Sequence, residues 1–168
     1  MTYLPPSEED LLQLAISIAK VAHSGQRRRD GEDYFTDHIV TVAEKVREEA
    51  GLRAATIAYL HDTIEDTTIT KSTLLDLGFP VRIVHDVVML TKNQDEPYVD
   101  FILRLREYGS DDALYVKLAD IEHNLPGAAD KRRRLYLDAQ GMLMDELDRR
   151  NASVEFAEEH KLPGALVV

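Results

Sequence analysis

The stretch His61-Asp62-Thr63-Ile64-Glu65-Asp66 puts four ionisable groups directly after an apolar run, Ala54-Ala55-Thr56-Ile57-Ala58-Tyr59-Leu60. Charges that follow a buried helix are costly unless something pairs with them. A divalent cation is a suitable partner, because adjacent imidazole and carboxylate groups at a helix end can both reach one ion. A solvated helix terminus is the plainer alternative. On a continuous helix Glu65 would lie one turn after His61 and Asp66 one turn after Asp62, so the second acidic pair would sit beside the first and support it.

Two further residues join this pattern. His38 lies upstream, and Asp120 interrupts the apolar helix signal of Val116-Lys117-Leu118-Ala119-Asp120-Ile121-Glu122-His123-Asn124. Lys117 and Asn124 fall on the Asp120 side of that helix. A lone His is commonly structural and a lone helical Asp commonly solvated, but His38 and Asp120 gain weight beside His61-Asp62. The chain has no Cys, so any metal must be held by imidazole and carboxylate, a set that suits Mn²⁺, Fe²⁺ or Zn²⁺. A shell left incomplete by the protein keeps positions for water and a substrate oxygen.

The elements that must position these groups read as helices throughout. Ser7 with Asp10 resembles a helix start, and Leu11, Leu14, Ala15, Ile18, Ala19 and Ala22 follow at helical spacing, delivering His23 at the far end. Residues 24–37, with Gly25 and Gly31, read as a loop before a second helix from about Thr36 to Ala50, with His38 in its first turn. Gly51 ends that helix, and the run up to Leu60 is apolar nearly all round, as a central buried helix requires. Further helices are expected at about 71–77, 81–91, 97–108, 110–124 and 128–149, and the tail 151–168 as a short helix and then loose chain. With no alternating β-branched runs, the fold expected is all-α, one compact helical bundle over 1–168 with its core at about 8–150. Tyr98, Phe101, Ile102 and Leu105 share a helix face and are expected in the core, with one wall of a pocket as the alternative.

At 168 residues and 44% hydrophobic the chain can bury a substantial core. A net charge of −11 argues against a nucleic-acid partner, and the absence of a leader or a long apolar run points to a cytoplasmic protein with no membrane partner. Two basic clusters oppose the overall charge, Arg27-Arg28-Arg29 and Lys131-Arg132-Arg133-Arg134. Each could receive a small anion or stand as a solvated patch.

Ala22-His23-Ser24-Gly25-Gln26 with Arg28, Tyr34-Phe35-Thr36-Asp37-His38, the His61 to Asp66 segment, and Val116 to Asp120 with His123-Asn124 together resemble the H…HD…D signature of the HD phosphohydrolase superfamily. More closely they resemble the hydrolase domain of RelA/SpoT-type alarmone enzymes and their small stand-alone relatives. The resemblance implies a Mn²⁺ site made by His38, His61, Asp62 and Asp120, with Glu65 and Asp66 as the catalytic acidic pair. Arg28 would then meet the guanine base, and Asn124 and Lys117 would contact the nucleotide. Water would attack the phosphorus of a 3′-pyrophosphate on (p)ppGpp, releasing pyrophosphate and GDP or GTP. Arg27, Arg28, Lys92 and Lys117 are the candidates for cationic support, Lys117 being equally readable as a snorkelling structural residue. Ile39 departs from the Pro that relatives commonly carry there, a small change to a helix start, and Ile121-Glu122 from a basic residue, which is expected to remove positive charge near the polyphosphate. No synthetase half is expected. His85, His123 and His160 are expected in structural or solvent roles. The alternatives are an HD nucleotidase or phosphatase acting on another phosphorylated nucleotide, NADPH 2′-phosphate included, and a non-catalytic nucleotide sensor.

Overall fold

Helix α1 (Glu8–Ala22) starts as its sequence requires: the Ser7 hydroxyl accepts from the Asp10 amide at 3.1 Å while the Asp10 carboxylate accepts from the Ser7 amide at 3.0 Å. This reciprocal pairing satisfies amides that would otherwise be orphaned at the helix start. The apolar stripe Leu11, Leu12, Ala15 and Ala19 is buried, and His23 closes the helix fully buried. These details come from a computed structural model that describes residues 5–159.

The loop after α1 folds into a small hairpin, joined by a single bridge between Arg27 and Asp33. The second helical segment opens with a π turn (Phe35–Ile39) rather than the α turn expected from Thr36. It continues as α2 (Val40–Leu60), which Gly51 breaks with φ 86° and ψ −167°, a conformation open essentially only to glycine. A straight helix of this length would span about 30 Å, yet the Nε2 atoms of His38 and His61, at its two ends, are 3.3 Å apart. Gly51 is therefore a reversal, and α2 is a helical hairpin whose arms, 40–50 and 52–60, run back on each other. All of Ala54 to Leu60 is buried, as the all-round apolar run demands.

His61 to Asp66 do not continue α2. The helix stops at Leu60, and a separate short turn α3 (Thr63–Asp66) carries Glu65 and Asp66. Then follow α4 (Lys71–Asp76), α5 (Val81–Leu90), α6 (Tyr98–Tyr108) and α7 (Asp111–Asn124), each within about two residues of expectation. Pro80 and Pro97 precede α5 and α6 in extended conformation, and Thr70 and Ser110 cap α4 and α7. A 3₁₀ turn (Leu125–Gly127) leads to α8 (Asp130–Glu159). Instead of ending near residue 149, α8 runs through Asn151–Glu159, a stretch with no Gly or Pro to stop it. His160 and the tail that follows it lie outside the described residues.

The chain is all-α, and the described residues contain no strand. The α2 hairpin packs chiefly against α7 and α1, with α5, α6 and α8 closing the other sides. Ile39, Ile57, Leu60, Leu114 and Ile121 are fully buried in the core between them, each contributing roughly 1.5–3 kcal/mol of transfer free energy. Of the α6 face, Ile102 and Leu105 are core, whereas Tyr98 and Phe101 also line the pocket described below.

Candidate active site

The hairpin reversal sets His38 beside His61, and the end of α2 adds Asp62. One donor atom from each of the three lies within 4.8 Å of the others. His38 Nε2 is 3.2 Å from Asp62 Oδ2 and His61 Nε2 is 3.0 Å from the same oxygen. From α7, Asp120 brings Oδ1 to 3.4 Å from His38 Nε2. A single imidazole proton cannot serve so many acceptors at once, whereas one cation can. His61 Nδ1 donates to the Ala58 carbonyl at 2.6 Å, which fixes the tautomer and turns the Nε2 lone pair inward. The donor set therefore fits a divalent metal of the Mn²⁺, Fe²⁺ or Zn²⁺ kind.

The electrostatics point the same way. Burial opposes charge on His61, but Asp62 and Asp120 outweigh it and hold the imidazole up at about 9. Burial likewise opposes ionisation of Asp62, yet His61 and His38 hold it well below the usual carboxylate range. The cluster thus collects positive charge, which a proton supplies when no ion does. Tyr34, raised above the ordinary phenol range by burial and by Asp62, stays protonated and donates to Asp62 Oδ2 at 2.6 Å.

Asp120 is oriented by two neighbours on its own helix: Lys117 Nζ donates to Oδ2 at 2.8 Å and Asn124 Nδ2 to Oδ1 at 2.6 Å. The Lys117 ammonium also faces the Phe101 and Tyr98 rings, at 5.1 and 5.8 Å. Burial opposes its charge, but Asp120 keeps it above the ordinary lysine range. Lys117 and Asn124 thus both hold a carboxylate of the cluster, and both also line the adjoining cavity.

Glu65 and Asp66 stand on α3 at the rim. Glu65 Oε2 accepts from the Lys92 backbone amide at 2.9 Å, and the Asp66 carbonyl accepts from Gln26 Nε2 at 3.0 Å. Burial, with Asp62 nearby, pushes both carboxyls above their ordinary values, although the Lys92 amide opposes the shift at Glu65. Such carboxyls are suited to proton transfer nearer neutrality. The Lys92 ammonium itself turns to the Asn93 and Glu96 carbonyls.

A cavity of about 420 Å³ opens over the cluster, with Glu65, Asp66, Lys92, Tyr98, Arg132 and Tyr136 in its walls. A second cavity of about 380 Å³ shares Tyr34, Asn124, Arg132 and Tyr136 with it and adds Arg28 and Arg29. One end is thus a metal-type cluster and the other is basic.

Several residues differ from expectation. Arg28 is not open to solvent alone: its Nε is 3.1 Å from Asp37 Oδ2 and its guanidinium also meets His123 Nε2. His123, expected to be structural or solvated, lies against His38 with ring centroids 5.0 Å apart. Burial, with His38 and Arg28 beside it, pushes its imidazole down, so it accepts from Arg28 as a neutral ring. Arg27 turns away to the Gly31 carbonyl at 3.2 Å. Arg132, from the second basic cluster, and Tyr136 border both cavities, and the helical spacing 132 to 136 was the available signal for them. Ile121 is fully buried and Glu122 pairs with Lys45 on the surface, and neither lines the cavity. Ile39 is likewise core.

No family model matches the chain. It is 31% identical over 148 residues to the bifunctional (p)ppGpp synthase/hydrolase SpoT of Escherichia coli, covering 80% of this chain and 21% of that protein. It is 32% identical over 131 residues to the GTP pyrophosphokinase rsh of Brucella ovis, covering 73% of this chain and 18% of the relative. The chain thus spans about a fifth of the length of these curated relatives. Among solved structures it shares the fold of a metazoan ortholog of SpoT that hydrolyzes ppGpp, with a TM-score of 0.66, 24% identity and 88% of each chain covered. By sequence the chain is a homologue of part of the SpoT/RSH proteins.

Proposed function

We propose that this chain is a metal-dependent guanosine-3′,5′-bis(diphosphate) 3′-pyrophosphohydrolase, converting (p)ppGpp to GDP or GTP and pyrophosphate in the cytoplasm. The observation that carries the reading is the meeting of His38, His61, Asp62 and Asp120 at the floor of a cavity whose rim bears Glu65 and Asp66. Homology to part of proteins named (p)ppGpp synthase/hydrolase and guanosine-3′,5′-bis(diphosphate) 3′-pyrophosphohydrolase supports the substrate.

His38, His61, Asp62 and Asp120 would hold the ion, for which Mn²⁺ is the proposed identity. When bound, it supplies Lewis acidity and a more acidic water. Glu65 and Asp66 accept the proton of the attacking water and orient it towards the 3′-phosphorus. Their raised affinity for protons suits that exchange. Asn124, on the wall shared by both cavities, and Arg28 in the second contact the nucleoside side of the substrate, while Lys117 keeps Asp120 in place. Arg132 lies where the two cavities meet and offers the cationic support for the phosphates.

The test is to incubate the protein with Mn²⁺ and ppGpp beside Asp62→Ala, Glu65→Ala and an EDTA control, resolving products by anion exchange. Release of GDP and pyrophosphate that needs the metal and both side chains supports the assignment. Orthophosphate release from another nucleotide, with NADPH run in parallel, would replace the substrate while keeping the hydrolase chemistry.

A further inference from the structure

We infer that His23 and Gln26 form a positioning relay for the acidic turn, holding Asp66 and Glu65 against the metal-type cluster from a loop 40 residues away. The inference rests on the proposed catalytic use of those two acids. Gln26 Nε2 donates to the Asp66 carbonyl at 3.0 Å, and Gln26 Oε1 lies 2.8 Å from His23 Nδ1. The amide orientation is chemically forced, because the opposite one would set Oε1 against the Asp66 carbonyl, acceptor against acceptor. With Gln26 accepting on that side, His23 must donate from Nδ1.

His23 is fully buried, and its Nε2 has no hydrogen-bond partner. Nδ1 to Gln26 is therefore the hydrogen bond that the imidazole makes, an unusual use of a buried histidine unless Gln26 itself must be held. What Gln26 holds is a helix of one turn. α3 spans Thr63–Asp66, and Thr67 leaves it in extended conformation, far below the length at which a helix is stable by itself. Its own bonds, from the Asp66 amide to the Asp62 carbonyl and from the Thr67 hydroxyl to the Thr63 carbonyl, are supplemented from outside: Lys92 fixes the Glu65 carboxylate from one side and Gln26 the Asp66 backbone from the other. Neither His23 nor Gln26 lines the cavity, so the pair acts through the turn and not on a substrate.

The experiment compares the full chain with Gln26→Met, which keeps the side-chain length without the amide, with His23→Leu, and with His23→Asn, whose amide nitrogen can stand in for Nδ1. Three quantities are measured: amide hydrogen exchange over residues 63–68, Mn²⁺ affinity, and kcat and KM on ppGpp. In Gln26→Met and His23→Leu, exchange over 63–68 should rise while Mn²⁺ affinity stays within about twofold of wild type, the ligands themselves being untouched. kcat should fall about 10- to 100-fold, as it does when outer partners of site residues are lost, with KM near wild type. His23→Asn should restore both exchange and kcat. Unchanged exchange in Gln26→Met overturns the relay even if activity falls. Raised exchange with undiminished kcat leaves the contact but overturns the catalytic use of Glu65 and Asp66 on which its purpose depends. Equal losses of Mn²⁺ affinity and kcat in Gln26→Met also overturn it, since they would mark a general loosening of the site.

Discussion

Replacing Lys117 with Met tests how the buried carboxylate of Asp120 is tolerated when no metal is bound. Asp120 is 8% exposed and the Lys117 side chain 13%. Removing one partner of a buried ion pair typically costs about 3–5 kcal/mol, because the remaining charge is left uncompensated. Here Asn124 still donates to Oδ1 at 2.6 Å and the raised His61 imidazole still bears on Asp120, so no more than the lower end, about 3 kcal/mol, is expected. For a chain of this size each 1 kcal/mol lowers Tm by roughly 2–4 °C, giving a fall of about 6–12 °C. The assay is thermal unfolding followed by circular dichroism in EDTA, repeated with saturating Mn²⁺. The ion supplies the missing positive charge, so the deficit should shrink in Mn²⁺. Lys117→Met combined with Asp120→Asn should be less destabilised than the sum of the two single changes, because the orphaned charge is gone. A Lys117→Met melt in EDTA within about 2 °C of wild type, below the shift of a single kcal/mol, would refute the argument that Lys117 is the counter-charge of Asp120.

Gly51→Ala strains the backbone without a clash, since nothing lies within 4 Å of the added Cβ; it should cost about 1–3 kcal/mol and weaken Mn²⁺ binding by disturbing the approach of His38 to His61. A variant with unchanged melting and unchanged binding would show that the reversal does not depend on glycine. Because His61 is held up at about 9, a metal must displace its proton below that pH. Mn²⁺ affinity should therefore rise about tenfold per pH unit from about 6 towards 9 and then level off, with proton release visible by calorimetry in buffers of different ionisation enthalpy. Arg104 grips Glu96 through two hydrogen bonds, at 2.7 and 2.8 Å, and holds its carboxyl down at about 2. The stability from this pair is present above pH about 4.5 and is lost as the pH falls towards 2. Glu96→Gln should cost about 1 kcal/mol at neutral pH, and its stability curve should converge with wild type in acid; parallel curves would contradict the assignment.

How much of this is legible in the residues depends on whether the signal is local. The capping box at Ser7, the Pro80 and Pro97 boundaries and the all-buried run to Leu60 are local patterns, and the helices they imply are present. His61-Asp62 and Asp120 are legible because charge interrupts apolar runs. The π turn at Phe35 is not, since its wide turn depends on packing that buries His38 and Ile39 together. Nor is the break after Leu60, which sets α3 off as its own turn. His123 and Arg132 escape because their roles come from neighbours far away in the chain: Arg28, Asp37 and His38 for the first, and the mouth of a cavity for the second. What is hidden in α8 is its continuity: the tail reads as a separate short helix after residue 149, although nothing in Asn151–Glu159 breaks a helix.

The hairpin after α1 also bears on where this chain can change length. Surface loops ordinarily accept inserted residues, but this one has two halves of different character. Its tip, at Asp30-Gly31, lies beyond the Arg27 to Asp33 bridge, and the Gly31 amide closes back on Arg28 within the tip itself. Its base holds Gln26, whose backbone carbonyl accepts from Tyr34 at 3.1 Å and whose side chain reaches Asp66. A residue added at the tip should be absorbed as a longer turn. One added between Ser24 and Gln26 would shift the register of the base against α3, so a stretch that looks like spare loop has little room to grow.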